Sequence, residues 1–528
     1  MADEPRAITH PELIVGIAGP IGIDVEAISE EIERALNDVG YGSRTVRVTS
    51  EMMRYPAPGV ERLGDDVFNT MMFKMDYANR LCQDAQDPSF LMRIAIQSIS
   101  LIRDEELPPS ETAEPTAQQI IERHEEVLTA TAFIIRQLKR PSEVALLRRV
   151  YGKQFILVSA YGSEEHRRER LREKIRDSLP LSTKEEDIAF KVTKIIGRDE
   201  DEGAEAHGQH LRDTFHLADV FVDGISRDRM RQGLDRFFQA FFGRVDIGPT
   251  KSEYGMYAAK GASLRSTDLS RQVGAAIFSD DGELVTQGCN EVPKAFGGTY
   301  WDGEEPDFRD VQLGYDPNDH LKKEVMRDLL ERLSRANLLV APDHETAASD
   351  TFVNVLLGRG DQDRGRAHFG CLVNSQINDL TEYGRVVHAE MVAICDAARL
   401  GKCVKGSILY VTTFPCHNCT KHILAAGVRQ VVYMEPYPKS RAKQLHRHEI
   451  EIEKPSATRV AFVPFLGISP FRYRDIFEKR SRKRDGTAVQ WYRNEPRPMI
   501  EVSAPAYLDI EFLEIGRLGG SVQLAMPL

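Results

Sequence analysis

The stretch from Val387 to Tyr433, VHAEMVAICDAARLGKCVKGSILYVTTFPCHNCTKHILAAGVRQVVY, constrains this chain more than any other. Two short pieces in it carry metal-binding side chains: His388-Ala389-Glu390 and Pro415-Cys416-His417-Asn418-Cys419. One imidazole and two thiolates can hold a zinc ion and leave its fourth position open, the layout of a catalytic rather than a structural site. Glu390 follows the His ligand by two residues, so it can stand beside the ion without ligating it. Val387, Met391, Ile394, Cys395 and Ala398 recur at helical spacing and Gly401 supplies a stop. His388 and Glu390 therefore open a helix. Ser407 to Thr413 alternates like a strand and leads into Pro415, a favoured first helical residue. Cys416 and Cys419 then fall on the first turn, whose positive end favours thiolate. His417 and His422 read as surface residues.

The order His-x-Glu, strand, Pro-Cys-x-x-Cys is the signature of zinc-dependent cytosine and adenine deaminases. Either piece alone would mean little; a lone Cys-x-x-Cys is as often a structural clip or a redox pair. The 528 residues suffice for two to four domains. A formal net charge of -12 argues against a protein that coats nucleic acid, whose phosphates call for a basic surface. The 7 Cys are odd in number and show no disulfide framework, which suits a reducing compartment. The opening residues MADEPRAITH lack a signal-peptide apolar core, and no apolar run is long enough to span a bilayer. The expected location is cytoplasmic.

The N-terminal part reads as α/β. LIVGIAGPIGID is a buried strand, Leu13 to Ala18, running into glycines, and Val25, Ile28, Ile32 and Leu36 share a helix face. Strand, glycine turn and helix is how a phosphate-binding loop begins. Gly16, Gly19 and Gly22 form the possible nucleotide-binding loop, but Ile23 and Asp24 stand where Lys and Ser/Thr belong. Strands are expected at Ser43 to Thr49, Thr129 to Gln137, Phe155 to Ala160 and Leu217 to Val222, with helices between them, which implies a parallel doubly wound sheet. Further on, a hairpin is expected across Asp280-Asp281-Gly282. A long insertion follows at about 294–385, in which His368 and Cys371 could belong to a second zinc site. Lys479 to Arg484 is basic, and a polar tail closes the chain.

Residues from about Leu269 to Ser440 resemble deoxycytidylate deaminases in the blocks SRQVGAAIFSDDGELVTQGCNEVP, VHAEMVAICDAARLG, LYVTTFPCHNC and AAGVRQVVYMEPYPKS. The region up to about Gly248 resembles P-loop nucleotide kinases, with RQLKRPSEVALLRRVYGKQFILV preceding their lid and Arg167, Arg168 and Arg170 placed as lid arginines. A fusion of the two looks like the anti-phage dCTP deaminases of bacteria. The resemblance implies a P-loop-kinase-like doubly wound sheet over 1–248 with a degenerate glycine loop. It implies a cytidine deaminase-like α/β/α domain over 249–528. The implied reaction is dCTP to dUTP, with dCMP to dUMP beside it, serving to deplete dCTP in infected cells.

The resemblance also assigns residues. His388, Cys416 and Cys419 are then the zinc ligands and Glu390 the proton shuttle, taking a proton from water and passing it to N3 and to the leaving ammonia. Val273 lines the base pocket and Asn290 contacts the sugar. Ala389, Phe414 and Tyr437 are further candidates for the pyrimidine site. Lys260, Arg265, Arg271 and Lys439 are candidates for phosphate. Expected partners are free deoxycytidine nucleotides, further copies of the chain, and an inhibitory RNA or phage-derived trigger; neither a membrane nor stable DNA binding is expected. The alternatives are a housekeeping dCMP deaminase of pyrimidine salvage, a nucleic-acid cytosine or adenine deaminase, and a non-enzymatic nucleotide sensor with a structural zinc.

Overall fold

The structure is a computed structural model that describes residues 8–107, 126–200, 211–339, 346, 349–359, 369–373, 375–380, 382–436, 440–479, 482–491, 496–500 and 505–521. The chain divides into two compact units, Met1–Tyr254 with Pro464–Leu528, and Gly255–Val463. This differs from a simple division near residue 248, because the C-terminal segment packs into the first unit.

The first unit holds a six-stranded sheet. Its strands are β1 (Leu13–Ala18), β2 (Gly42–Val46), β3 (Thr131–Leu138), β4 (Phe155–Tyr161), β5 (Val220–Asp223) and β12 (Gly467–Ile468), in the order β12-β5-β4-β1-β3-β2. All pairs among β1 to β5 are parallel, and only β12 runs antiparallel, against β5. The near-continuous apolar runs LIVGIA and FILVSAY are what a sheet covered on both faces demands. Alternate residues Leu13, Val15 and Ile17 of β1 join Ile28, Ile32, Leu234, Phe237 and Phe241 in one core. The last two groups come from helices Val25–Asn37 and Arg227–Phe241.

The closing segment is not the expected polar tail. The tail after Arg484 carries a helix, Tyr507–Ser521, and β12 lies ahead of it at Gly467–Ile468. Burial of charge ties it down: Arg103 is 4% exposed and donates to both Glu12 and Glu511, while Arg472 donates to Asp219 at 2.9 Å. Sequence patterning misses such a segment because its anchors are charged residues, which ordinarily mark solvent-facing positions. The helix Glu185–Glu200 was likewise not singled out in the sequence.

The second unit is built on the strands β6 (Gly274–Phe278), β7 (Leu284–Cys289), β8 (Ile408–Thr413), β9 (Gln430–Glu435), β10 (Ile450–Ile452) and β11 (Val460–Pro464), in the order β10-β11-β9-β8-β6-β7. β6 and β7 form the expected hairpin, and Gly282 takes φ +99° at its turn. β6 pairs antiparallel with β8, and β8 parallel with β9. Helices Ala389–Arg399 and His417–Ala426 pack on this sheet, with Ala389, Ala393 and Ile423 in its core. Both units are thus mixed α/β with parallel-rich sheets. Among the described residues no helix is long and apolar enough to cross a membrane.

Candidate active site

Helix starts place the three candidate ligands. His388 is the N-cap of helix Ala389–Arg399, and Cys416 is the N-cap of helix His417–Ala426. Pro415 therefore lies just before the helix rather than at its first position. Cys416 Sγ accepts from the Cys419 N–H at 3.5 Å, so the sulfur does the work of a capping oxygen. His388 is held in turn by its chain neighbour. Val387 and Glu291 exchange backbone hydrogen bonds at 3.1 and 3.2 Å. The buried Glu291 carboxylate accepts from Thr267 N–H, Thr267 Oγ1 and Val292 N–H. Sequence reading did not single out Glu291; its role depends on a pairing across nearly a hundred residues that no local pattern records.

A close backbone approach brings the two halves together. A Cβ on Gly288 of β7 would lie 2.6 Å from the Ala389 carbonyl and 2.7 Å from the Ala393 nitrogen. Only glycine lets the helix bearing Glu390 sit this low on the sheet. Thr286 Oγ1 fastens the same helix, donating to the Ala393 carbonyl at 2.9 Å.

His388 Nδ1 lies 3.4 Å from Cys416 Sγ and 3.3 Å from Cys419 Sγ. The three ligand atoms all fall within 4.8 Å of one another. Tetrahedral zinc with ordinary Zn–S and Zn–N bonds sets nitrogen and sulfur ligands about 3.5 Å apart, so the donor set fits that ion. Its electrostatics agree. The Cys419 thiol and the His388 ring hold the Cys416 thiol down at about 4. Glu390 is 4% exposed; burial, and then the charge of Cys416, push its carboxyl up. A thiolate and a buried carboxyl side by side call for positive charge at their centre.

The cluster forms one end of a cavity of about 280 Å³. His388, Ala389, Glu390, Cys416, Phe414, Val273 and Asn290 line it, and Arg271, Arg385, Asp268, Asp310 and Asp316 reach it as well. Its size falls just below the usual range for sites that take small molecules, roughly 300–1,000 Å³. Phe414 is fixed edge-on by Tyr433 at 4.9 Å between centroids and tilted against Phe462 at 5.5 Å.

The sequence candidates are held in different ways, and two of them do not reach the cavity. The Asn290 side chain accepts from Val273 N–H at 2.7 Å and donates to the Arg271 carbonyl at 2.8 Å, so it shapes the wall through the backbone. Arg271 reaches the cavity but donates to Glu435 at 2.8 Å. Arg265 is committed elsewhere: it donates to Thr299 and lies over the Trp301 ring at 3.6 Å. Neither it nor Lys260 lines the cavity. Tyr437 and Lys439 lie outside the described residues, as does His368, and Cys371 is exposed. His417, expected at the surface, is half-buried on the cavity wall, and its Nδ1 is buried with no hydrogen-bond partner among the described residues. Arg385, at the end of the insertion, was not anticipated; it donates to Asp310 at 2.9 Å.

The glycine loop belongs to the first unit. Gly16 lies inside β1, and Gly19 and Gly22 lie in the turn after it. Ile23 is 5% exposed and part of the core, which is why it cannot be a lysine. Asp24 is the N-cap of helix Val25–Asn37. Of the expected lid arginines, Arg168 donates to Glu164, Arg170 pairs with Asp24, and the buried Arg167 donates to the Gly162 carbonyl.

Comparison with known proteins agrees with this geometry. Residues 249–435 match the family model described as the cytidine and deoxycytidylate deaminase zinc-binding region. The deoxycytidylate deaminase of Enterobacteria phage T2 is 44% identical over 55 residues, covering 10% of this chain and 29% of that protein. The human deoxycytidylate deaminase is 43% identical over 54 residues, again 10% and 29%. The ComE operon protein 2 of Bacillus subtilis is 41% identical over 68 residues, 13% and 33%. The chain thus spans about a third or less of the length of these relatives. A crystal structure of dCMP deaminase from the cyanophage S-TIM5 aligns at 17% identity over 41% of this chain and 99% of that one, with a TM-score of 0.21, too low to bear on the fold. The chain carries a cytidine and deoxycytidylate deaminase-type domain.

Proposed function

We propose that the second unit hydrolytically deaminates free deoxycytidine nucleotides, dCTP to dUTP and dCMP to dUMP, and that the chain thereby depletes dCTP during phage infection. The observation that carries the chemical part is Glu390. A structural metal site has no use for a buried carboxyl beside its ligands, whereas hydrolysis of an amine needs a group that accepts and returns protons. His388, Cys416 and Cys419 are the residues that would hold zinc, which when bound supplies a Lewis acid that activates water near neutral pH. Glu390 takes a proton from the attacking water and delivers it to N3 of the cytosine. The C4–O bond forms in the same step; Glu390 then takes the second proton, from the new C4 hydroxyl, and gives it to the amino group, so that C4=O forms as the C4–N bond breaks and ammonia leaves. Phe414 and Val273 wall the base, and Glu390 stands buried beside them.

The substrate class rests on less. Arg271, Arg385 and His417 reach the cavity and suit a phosphate, whereas Asp268, Asp310 and Asp316 near it oppose a polyanionic strand. That balance favours a free nucleotide over nucleic acid. The dCTP preference and the defensive purpose rest on the resemblance of the whole chain to the bacterial anti-phage enzymes. We further propose that the first unit is a degenerate P-loop-kinase-like fold that senses or restrains rather than transfers phosphate; its parallel strand order and the glycine turn after β1 support this. The test of the reaction is ammonia release from purified protein given dCMP, dCTP, single-stranded DNA or RNA. Release from the free nucleotides alone is expected. Uracil appearing only in the oligonucleotides would overturn the reading.

A further inference from the structure

The glycine loop of the first unit already holds an anion, and the chain itself provides it. The Ile21 N–H donates to Asp199 Oδ2 at 2.7 Å, from a residue 178 positions away. The other carboxylate oxygen lies 2.7 Å from Lys139 Nζ. Lys139 is anchored to the loop as well, donating to the Gly19 carbonyl at 2.8 Å. The sheet explains how it gets there. Ala18, the last residue of β1, pairs with Leu138, the last of β3. The residue after each strand therefore emerges at the same edge, and Lys139 meets the loop that begins at Gly19. The ammonium missing from position 23 is thus supplied from a different strand.

Asp199 is fully buried and the Lys139 side chain is 13% exposed. Burying a carboxylate costs several kcal/mol unless its partners are nearly ideal. The helix that bears it, Glu185–Glu200, has apolar anchors of its own: Ile188, Val192, Ile195 and Ile196 pack with Leu171 and Ile175. Ordinary packing would hold the helix without a charge in the loop. The loop backbone is also pinned in shape. Gly22 takes φ +97°, and a Cβ there would lie 2.8 Å from the Arg167 carbonyl. A backbone N–H and an ammonium converging at a glycine turn before a helix make an anion site.

We propose that the glycine loop and Lys139 form a binding site for a phosphate-bearing small molecule, kept shut by the Asp199 carboxylate, which the ligand must displace. The site does not depend on the deaminase reading. Occupancy would release Asp199 and free the last turn of helix Glu185–Glu200 from the loop, while the apolar anchors keep the rest of the helix in place, which gives the first unit a closed and an open state.

The experiment measures binding of inorganic pyrophosphate to the full chain by calorimetry. Asp199→Asn keeps the size of the side chain and one acceptor for Ile21, but turns an amide toward Lys139 in place of a carboxylate oxygen. Pyrophosphate should bind this variant about tenfold or more tightly than the unaltered chain, a gain of about 1.4 kcal/mol. Adding Lys139→Met should abolish the gain. No gain, or a gain that survives loss of Lys139, overturns the proposal and leaves the pair as a structural bridge. Should Asp199→Asn fail to fold, hydrogen exchange of the unaltered chain decides. Millimolar pyrophosphate should speed exchange in the last turn of helix Glu185–Glu200, and unchanged exchange there overturns the displacement.

Discussion

Each sheet in this chain ends a central strand in a turn that opens a helix, and the two turns are filled in opposite ways. After β8, Cys416 caps one helix while its sulfur, Cys419 and His388 still converge on one another at the wall of a cavity. After β1, Asp24 caps the helix and also pairs with Arg170, and the loop's N–H and lysine close on Asp199. The two turns share the positive end of a helix. What differs is the kind of group that converges there. His388, Cys416 and Cys419 bring three metal-binding atoms within 4.8 Å of one another, and so they mark a place for something else. Backbone amide, ammonium and carboxylate satisfy one another, and so they mark a place that is closed.

The most severe way to break the contrast is to remove the proton-transfer group that stands beside the first turn, on helix Ala389–Arg399. Glu390→Gln keeps the shape of the side chain and takes away proton transfer, so kcat for ammonia release should fall by about 10²–10⁴-fold with metal content unchanged. Cys416→Ala should lose both metal and activity, because it removes a ligand and the cap of the helix together. Elemental analysis beside a turnover assay separates the two variants. Near-normal turnover in Glu390→Gln, or undiminished zinc in Cys416→Ala, would dissolve the distinction drawn between the turns.

Much of the first turn could be read from the sequence, because its chemistry lies in a few residues at fixed spacing on local elements. His-x-Glu and Cys-x-x-Cys each sit at a helix start, and helix starts are local features. The wall around them was less legible. Arg265 looked like a phosphate contact, yet it holds the loop at 299–300, whereas Asn290 lines the cavity and also holds the backbone of residues 271–273. Polar residues near a site serve either purpose, and only their distances tell which. The central strands of the first sheet were legible from their apolar runs, whereas β2, GSRTV, ends at Val46 with a helix from Val48 in place of the expected strand to Thr49, and β12 was not expected. The closing helix Tyr507–Ser521 was not legible either, since it docks through Glu511 and Glu514 on buried arginines. Asp199 was invisible for the same reason: its partners lie 60 and 178 residues away.

A gentler perturbation tests whether the first turn depends on precise support. Gly288→Ala adds one methyl group that meets backbone atoms at 2.6 and 2.7 Å, where no side chain can swing aside. Helix Ala389–Arg399 must lift, at a cost of about 1–3 kcal/mol. His388 and Glu390 are at the end of the helix nearest that contact. A displacement approaching 1 Å would lower kcat/KM by up to about 10²-fold. A melting scan and a turnover assay on the same preparation check both effects. Unchanged activity with a lowered melting temperature would mean that the site is carried by β8 rather than by this helix.

The smallest expected effect lies at the second turn and asks what Asp24 does there. Its carboxylate accepts from the Ala27 N–H at 3.1 Å and pairs with Arg170, whose side chain is about a quarter exposed. Burial works against the charge, but Arg170 and the Ala27 N–H hold the carboxyl below its ordinary 3.8. A carboxyl lowered on folding adds stability that is present above its ordinary value and fades as pH falls through the folded one. Asp24→Ala should therefore cost about 0.5–2 kcal/mol, the usual penalty for losing an N-cap. Asp24→Asn keeps the cap and drops only a partly exposed ion pair, worth about 0–1 kcal/mol. Hydrogen exchange in the first turn of helix Val25–Asn37 reads the difference at neutral pH. The alanine variant should exchange several-fold faster there than the asparagine variant, and the gap between asparagine and the unaltered chain should close below pH 4. If asparagine is as damaging as alanine, the charge on Arg170 rather than the cap governs this turn, and the loop is held shut by two ion pairs instead of one.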